Sequence, residues 1–381
     1  MIPFARILSF NNVLVGPEKI ASMVASDTAF FILTDTGKLY GSGGNSNSQI
    51  GIGGAGAYYG IYSQISTDVH SVFALQSTTV IVKTDGTVWY KGRPTPFLPG
   101  NYTNTSSWVE ITTLVKAVVA DTLNMKVYGS NSNVFVLSGT TLYSMGETGF
   151  GSSGSQYDYP YFQQIRTDVK DVYVVPSAYC TFAVLTNNTL VGCGRNGNSE
   201  LGTGNTTRYN AFTPIPLSNI GIKSFSSCNA SSVMIRSDNT MYIWGNRQFG
   251  QLGDGYSDSA SSIHSYPVLM TTAPFPASSV LDYGNTYVGA NAFRLLRVGN
   301  ELYGTGLGNV GQLSLDTLVN VSAFTKATLP DGILLDNFKM IRMNNVLFLY
   351  NEDTIYASGN SLFIVNAPTP SYPLKNMNLP T

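Results

Sequence analysis

The sequence predicts an all-β chain folded as one seven-bladed β-propeller of four-stranded antiparallel blades, occupying residues 1–381 as a single domain. Three observations predict it. A hairpin-like unit recurs seven times, its period is close to fifty residues, and 38 glycines punctuate short apolar runs. A strand-rich repeat of about forty to fifty residues has the length of one propeller blade. A closed ring of such units uses the whole length as one body, where length alone would suggest two or three domains.

The first unit shows the pattern. Phe30–Gly43 is an apolar run, a polar turn at Asp35-Thr36-Gly37, and a short second run that ends in glycine. Val80–Gly92, Val134–Gly146, Phe182–Gly194, Val233–Gly245, Phe293–Gly306 and Val346–Gly359 repeat it. The closing glycines Gly43, Gly92, Gly146, Gly194, Gly245, Gly306 and Gly359 are spaced by 49, 54, 48, 51, 61 and 53 residues. Asp, Asn and Gly at the turns tolerate the positive φ of tight hairpins. The flanking Val, Ile, Phe, Leu and Tyr suit a pleated, packed surface. The first run is apolar at nearly every position, as in a strand buried on both faces between neighbouring blades. The runs are too short and too densely punctuated for helices.

Two further strands complete each unit. One lies just upstream of the hairpin, at Val69–Val72, Val115–Val118, Val169–Val172 and Ile222–Phe225. The other precedes it, at Tyr62–Ile65, Phe162–Ile165 and Pro214–Leu217. Four short strands are the content of one blade. At the ends, Ile7–Val15, Ile20–Ala25 and Ser371–Leu374 are strand-like. The expectation is that the N- and C-terminal segments meet, and that the last blade mixes strands from both to close the ring.

Beyond the closing glycine, Gly194–Gly204 (GRNGNSELGTG) and Gly245–Gly255 (GNRQFGQLGDG) share a longer signature, with a weaker echo at Gly306–Leu313. With the preceding strand ending Tyr242-Ile243-Trp244-Gly245, this resembles the repeat of the RCC1 (regulator of chromosome condensation) family. The resemblance implies a seven-bladed propeller. The founding member of that family exchanges guanine nucleotide on a small GTPase and binds chromatin, while other members are scaffolds, sensors or ligases. No exchange residue of the family can be placed on this sequence, and fold-level likeness is a weak warrant for activity.

Composition excludes several functions. A formal net charge of −1 offers no basic field to a nucleic-acid backbone. No run approaches the ~20 apolar residues that cross a bilayer, and the N-terminus does not read as a secretory signal. Cys180, Cys193 and Cys228 are too few and too irregular for a disulfide framework or zinc site, and His70 and His264 lie in no ligand spacing. No metal or cofactor is expected. The glycines of Gly51–Gly56 lack the helix and Lys-Ser/Thr pair of a phosphate cradle and read as turn residues. Asp35, Asp85 and Asp238 sit in hairpin turns, and no pair of facing carboxylates is legible, so the chain is not expected to be an enzyme.

Tyrosine carries the remaining signal. Of 23, many follow a closing glycine: Tyr58, Tyr59 and Tyr62 in unit one, Tyr157, Tyr159 and Tyr161 in unit three, and Tyr209 in unit four. Unit five has Tyr256 and Tyr266, with His264 between them, in its long insert. Tyr58, Tyr161 and Tyr209 each lie fifteen residues past their glycine, which predicts one side of the disc. Tyr is enriched at interfaces, and packing beneath the loops is the alternative role.

The main expectation is a non-enzymatic protein-interaction or structural module. It would be a component of a large assembly such as a phage or virus particle (a decoration, collar or adhesin-type protein). Its partners would be other subunits, and its location the virion or another extracellular assembly. The alternative is a cytoplasmic RCC1-like regulator acting as a guanine-nucleotide exchange factor for a small GTPase. A carbohydrate-binding or carbohydrate-active propeller, with a surface glycan as ligand, is the third reading.

Overall fold

In the computed structural model the chain forms seven four-stranded antiparallel sheets, each built from consecutive strands. The structure describes residues 18–50, 58–94, 97, 103–146, 159–217, 221–228, 230–257, 263–275, 281–282, 292–315, 318–343, 345–359 and 371–377. Blade one is β1 (Ile20–Ala25), β2 (Ala29–Thr34), β3 (Leu39–Gly44) and β4 (Tyr58–Ser66); blade two is β5 (Val69–Ala74), β6 (Thr78–Lys83), β7 (Val88–Gly92) and β8 (Thr105–Glu110). Blade three is β9 (Lys126–Gly129), β10 (Asn133–Ser138), β11 (Thr141–Gly146) and β12 (Tyr159–Arg166); blade four is β13 (Val169–Val175), β14 (Cys180–Leu185), β15 (Leu190–Gly194) and β16 (Tyr209–Pro214). Blade five is β17 (Ile222–Cys228), β18 (Ser231–Arg236), β19 (Met241–Asn246) and β20 (Ile263–Leu269); blade six is β21 (Leu281–Asp282), β22 (Phe293–Val298), β23 (Glu301–Gly306) and β24 (Val321–Lys326). Blade seven is β25 (Lys339–Met343), β26 (Val346–Tyr350), β27 (Ile355–Gly359) and β28 (Ser371–Met377).

First strands touch first strands, β1 to β5 and onward to β21, and β25 meets β1, so they are the innermost layer. Each second strand serves two interfaces. In β2, Phe30 and Ile32 pack against blade seven, while Ala29, Phe31 and Leu33 pack against blade two. This two-sided burial is why the strand is apolar throughout. Seven apolar clusters result, one at each junction between neighbouring blades.

The junction of blades seven and one closes the circle by packing. Ile20, Met23, Phe30 and Tyr40 meet Ile341, Met343 and Phe348, and Phe30 lies 4.8 Å from Phe348 between ring centroids. Lys19 adds a 2.7 Å ion pair to Glu352. Among the described residues the strands of blade seven all come from 339–377, and none is shared with the N-terminal side. Residues 7–15 lie outside the described residues.

Two strand expectations are corrected. Val115–Val118 belongs to a short helix, α1 (Thr112–Lys116), and the turn after it, and β9 is the first strand of blade three. Ile111, Val115 and Val119, spaced by four, form a buried helical stripe in the core between blades two and three. Of Pro214–Leu217 only Pro214 belongs to a strand, because β16 ends there. Pro214 and Pro216 bring no N–H to a ladder, while Ile215 turns inward and is buried.

Every third-to-fourth strand ladder is irregular at the closing glycine. All seven of these glycines have positive φ, from 88° to 124°. A bulge that re-aims the chain into the next loop needs this backbone, which a side chain would strain.

Candidate interaction surface

The loops from third to fourth strands leave from the closing-glycine end of the disc, and one local design builds four of them. Six residues past the glycine stands Gln49, Glu200, Gln251 or Gln312. Its side-chain oxygen accepts the backbone N–H two residues earlier, from Asn47 (2.9 Å), Asn198 (2.7 Å), Phe249 (2.9 Å) and Val310 (3.0 Å) respectively. The preceding residue is left-handed in each case: Ser48, Ser199, Gly250 and Gly311. The following Ile50, Leu201, Leu252 or Leu313 is driven into the core. Unit one therefore carries the signature too. Its Ser48-Gln49-Ile50 stands at the offset of Ser199-Glu200-Leu201 in unit four.

In three of these loops the backbone carbonyl of that Gln or Glu is then bound by the next blade. Thr79 Oγ1 donates to Gln49 O (2.8 Å), Trp244 Nε1 to Glu200 O (2.9 Å) and Arg294 Nε to Gln251 O (2.7 Å). Arg294, fully buried, also donates to Ser226 O (3.1 Å) and Ser231 Oγ (2.9 Å). The loops of units four and five continue outward and bind the edge of the following blade. Gly204 N–H donates to Ser265 O (2.9 Å) on β20, and Gly255 N–H to Ser322 O (2.9 Å) on β24, where Asp254 also bridges Ala323. A Cβ on Gly202 would sit 2.7 Å from the Trp244 ring, and one on Gly253 2.5 Å from Phe324, so an aromatic of the next blade lies on bare backbone.

The residues singled out from sequence separate in this frame. Tyr62 is packing: its ring meets Phe30 edge-on at 5.9 Å, its hydroxyl is buried without a hydrogen bond, and burial pushes its pKa up. Tyr209 is half-buried against the core between blades four and five, and its hydroxyl accepts Asn205 Nδ2 (2.9 Å). Tyr161, Tyr256 and Tyr266 are exposed. For Tyr58, Tyr59 and Tyr159 only the backbone is described, and Tyr157 lies outside the described residues. The fifteen-residue offset does not mark one register. Tyr59, Tyr159, Tyr209 and His264 face closing glycines, whereas Tyr58 faces Gly44 and Tyr161 lies two residues beyond Tyr159.

The insert of unit five gathers the most chemistry. Asp254 Oδ2 lies 3.3 Å from His264 Nε2 and 3.4 Å from Arg247 Nη1, and the Arg247 guanidinium covers the Tyr256 ring at 4.7 Å. Burial raises the Asp254 pKa, but the His264 contact, the Tyr256 N–H and the Arg247 charge outweigh it and leave the carboxyl below its ordinary value. On the same strand as His264, Tyr266 rests on Gly204 of the preceding blade's loop, where a Cβ would fall 2.1 Å from its ring.

Sequence reading missed Tyr179. Blade four joins β13 to β14 by four residues, Pro176–Tyr179, where blade one uses three, Ser26–Thr28. Tyr179 is half exposed at φ 52°, unusual for a bulky side chain. Its carbonyl accepts the N–H of Arg195, whose side chain is itself 56% exposed and lies 3.8 Å from Glu200. Tyrosine and arginine on rigid loops are the residue types that anchor protein interfaces.

Among the described residues no three His, Cys, Asp or Glu side chains converge as a metal site.

No family model and no curated protein matches the chain. Solved structures do. Saccharomyces cerevisiae Prp20p, described with its binding to Gsp1p and histones, is 14% identical, with 84% of this chain and 79% of that chain covered at a TM-score of 0.67. Yeast RCC1 (Prp20) bound to Kap60 is 13% identical, with 85% and 78% covered at 0.68. Human WBSCR16 is 12% identical, with 90% and 94% covered at 0.71. At such identities the likeness speaks for fold alone. The chain is an RCC1-like seven-bladed β-propeller.

Proposed function

We propose that this propeller is a protein-recognition module that regulates a small GTPase through its loop-bearing end. The observation that carries the reading is the likeness, across most of both chains, to Prp20p, a protein described with binding to Gsp1p. Exposed Tyr179 in the turn before β14, Tyr256 beside the Gly255–Ser322 brace and Tyr266 on β20 support a binding role, since rigid aromatic anchors lose little entropy on contact. Neither the fold nor the comparisons lend support to a particle component.

The test is a panel of small GTPases loaded with a fluorescent guanine nucleotide and mixed with the full chain at micromolar concentration. Saturable binding with faster nucleotide release is expected for at least one. Binding that falls with Tyr179→Ala or Arg195→Ala would assign the face. Absence of binding across the panel overturns the GTPase reading.

A further inference from the structure

The opposite end of the disc carries a second pattern. In blades one, two, four and five the ladder between first and second strands skips one residue near its start: Ala21, His70, Lys170 and Lys223. Blades three and seven begin one register on with Lys126 and Lys339, and blade six has Asp282 there. Ala21, His70, Lys126, Lys170, Lys223 and Lys339 are all exposed. Because first strands are innermost, these positions encircle the axis at the hairpin-turn end. Three consecutive blades thus present Lys126, Lys170 and Lys223 as one arc, though these lysines are far apart in sequence.

The arc is poorly neutralised from within. Lys223 Nζ donates to the neutral Asn239 Oδ1 (2.7 Å). Lys126 reaches Asp171 at 3.7 Å with both side chains more than a third exposed, a contact of little worth in water. Asp171 is itself held by the Tyr128 hydroxyl at 2.6 Å. Of the acids near this end, Asp168 is ion-paired with Arg166, while Asp121 and Asp238 are held by neutral Asn124 and Thr240 and keep their charge.

We propose that the arc of Lys126, Lys170 and Lys223 docks an extended acidic peptide segment of a protein partner, by ammonium–carboxylate contacts. Lysine presents point charges where phosphate recognition favours the arginine fork. The first strands offer only half-buried aromatics (Phe73, Tyr128 and Tyr173), which suits them poorly as base-stacking platforms. Asp171 within the circle repels a uniformly charged polyanion, whereas a peptide can set a neutral residue against it. This surface stands whether or not a GTPase binds the loop end.

The test uses the full chain and a fluorescein-labelled peptide of alternating glutamate and serine, read by anisotropy at low salt. Saturable binding is expected, weakened roughly two- to fivefold by each of Lys126→Ala, Lys170→Ala and Lys223→Ala, and lost in the triple charge reversal to Glu. Lys326→Glu, on the outer strand β24, leaves it unchanged. Lys170→Glu alone, at an exposed bulge position, serves if the triple variant fails to fold, and weakens binding at least fivefold. The proposal is overturned if the peptide does not bind, if binding survives the reversals, or if an oligothymidylate of equal charge binds more tightly.

Discussion

At Gly245 the closing-glycine requirement can be put in numbers. A Cβ there would lie 2.2 Å from the Ala230 carbonyl oxygen at φ 88°. Left-handed backbone alone costs an L-residue about 1–2 kcal/mol, and the clash adds to it, so Gly245→Ala should lower stability in urea by at least ~2 kcal/mol. Asp254 should give a pH signature. Its folded pKa lies below the unfolded value, so its contribution is full above the ordinary carboxylate range near ~4 and is lost as pH falls through the lower folded value. Asp254→Asn should therefore lose less thermal stability than the wild type between about pH 5 and 2.5. Burial pushes the Cys180 and Cys193 thiols up, and Cys228 is equally inaccessible. An aromatic disulfide reagent should find no reactive thiol until urea unfolds the chain, and then three.

Among elements, the loop that rivets one blade to the next is the unit of assembly. Thr79→Val keeps the side-chain shape and leaves the Gln49 carbonyl without its buried donor, a change worth about 1–2 kcal/mol. Trp244→Phe removes the donor to Glu200 and leaves space against Gly202, so its loss should be larger, at about 2–3 kcal/mol. Denaturant titration of both variants checks the order. Strand identity was legible wherever turn chemistry and two-sided burial agreed, as in β2 and β18. It was misread at Val115–Val118, where four residues alternate like a strand but the wider Ile111–Val119 window has helical spacing. The rivet residues were invisible because Thr79, Trp244 and Arg294 share no chemistry, only a position facing the preceding loop.

The whole molecule has no free end in its core, since an apolar cluster fills every junction including that of blades seven and one. An open repeat array can fray from its ends; a ring with a core at every joint should unfold in one step. The three tryptophans test this, because Trp89 and Trp108 lie in blade two and Trp244 in blade five. Fluorescence of a Trp244→Phe variant and of a Trp89→Phe/Trp108→Phe variant should each show a single urea transition coincident with that variant's own far-ultraviolet circular dichroism. Transitions that separate would mean that blades unfold independently.

The sequence by itself determined the number of blades, the hairpin in each and the place of every closing glycine. These are local matters, decided by turn residues, strand propensity and a period that needs no distant partner. Tertiary structure alone decided which loop residues are anchors and which are filler. Tyr62 and Tyr256 look alike along the chain, yet one is buried against Phe30 and the other stands under Arg247 at the surface. It also decided that Lys126, Lys170 and Lys223 belong together. Radial closure brings equivalent registers of successive blades to one end of the axis, a juxtaposition that no spacing along the chain displays.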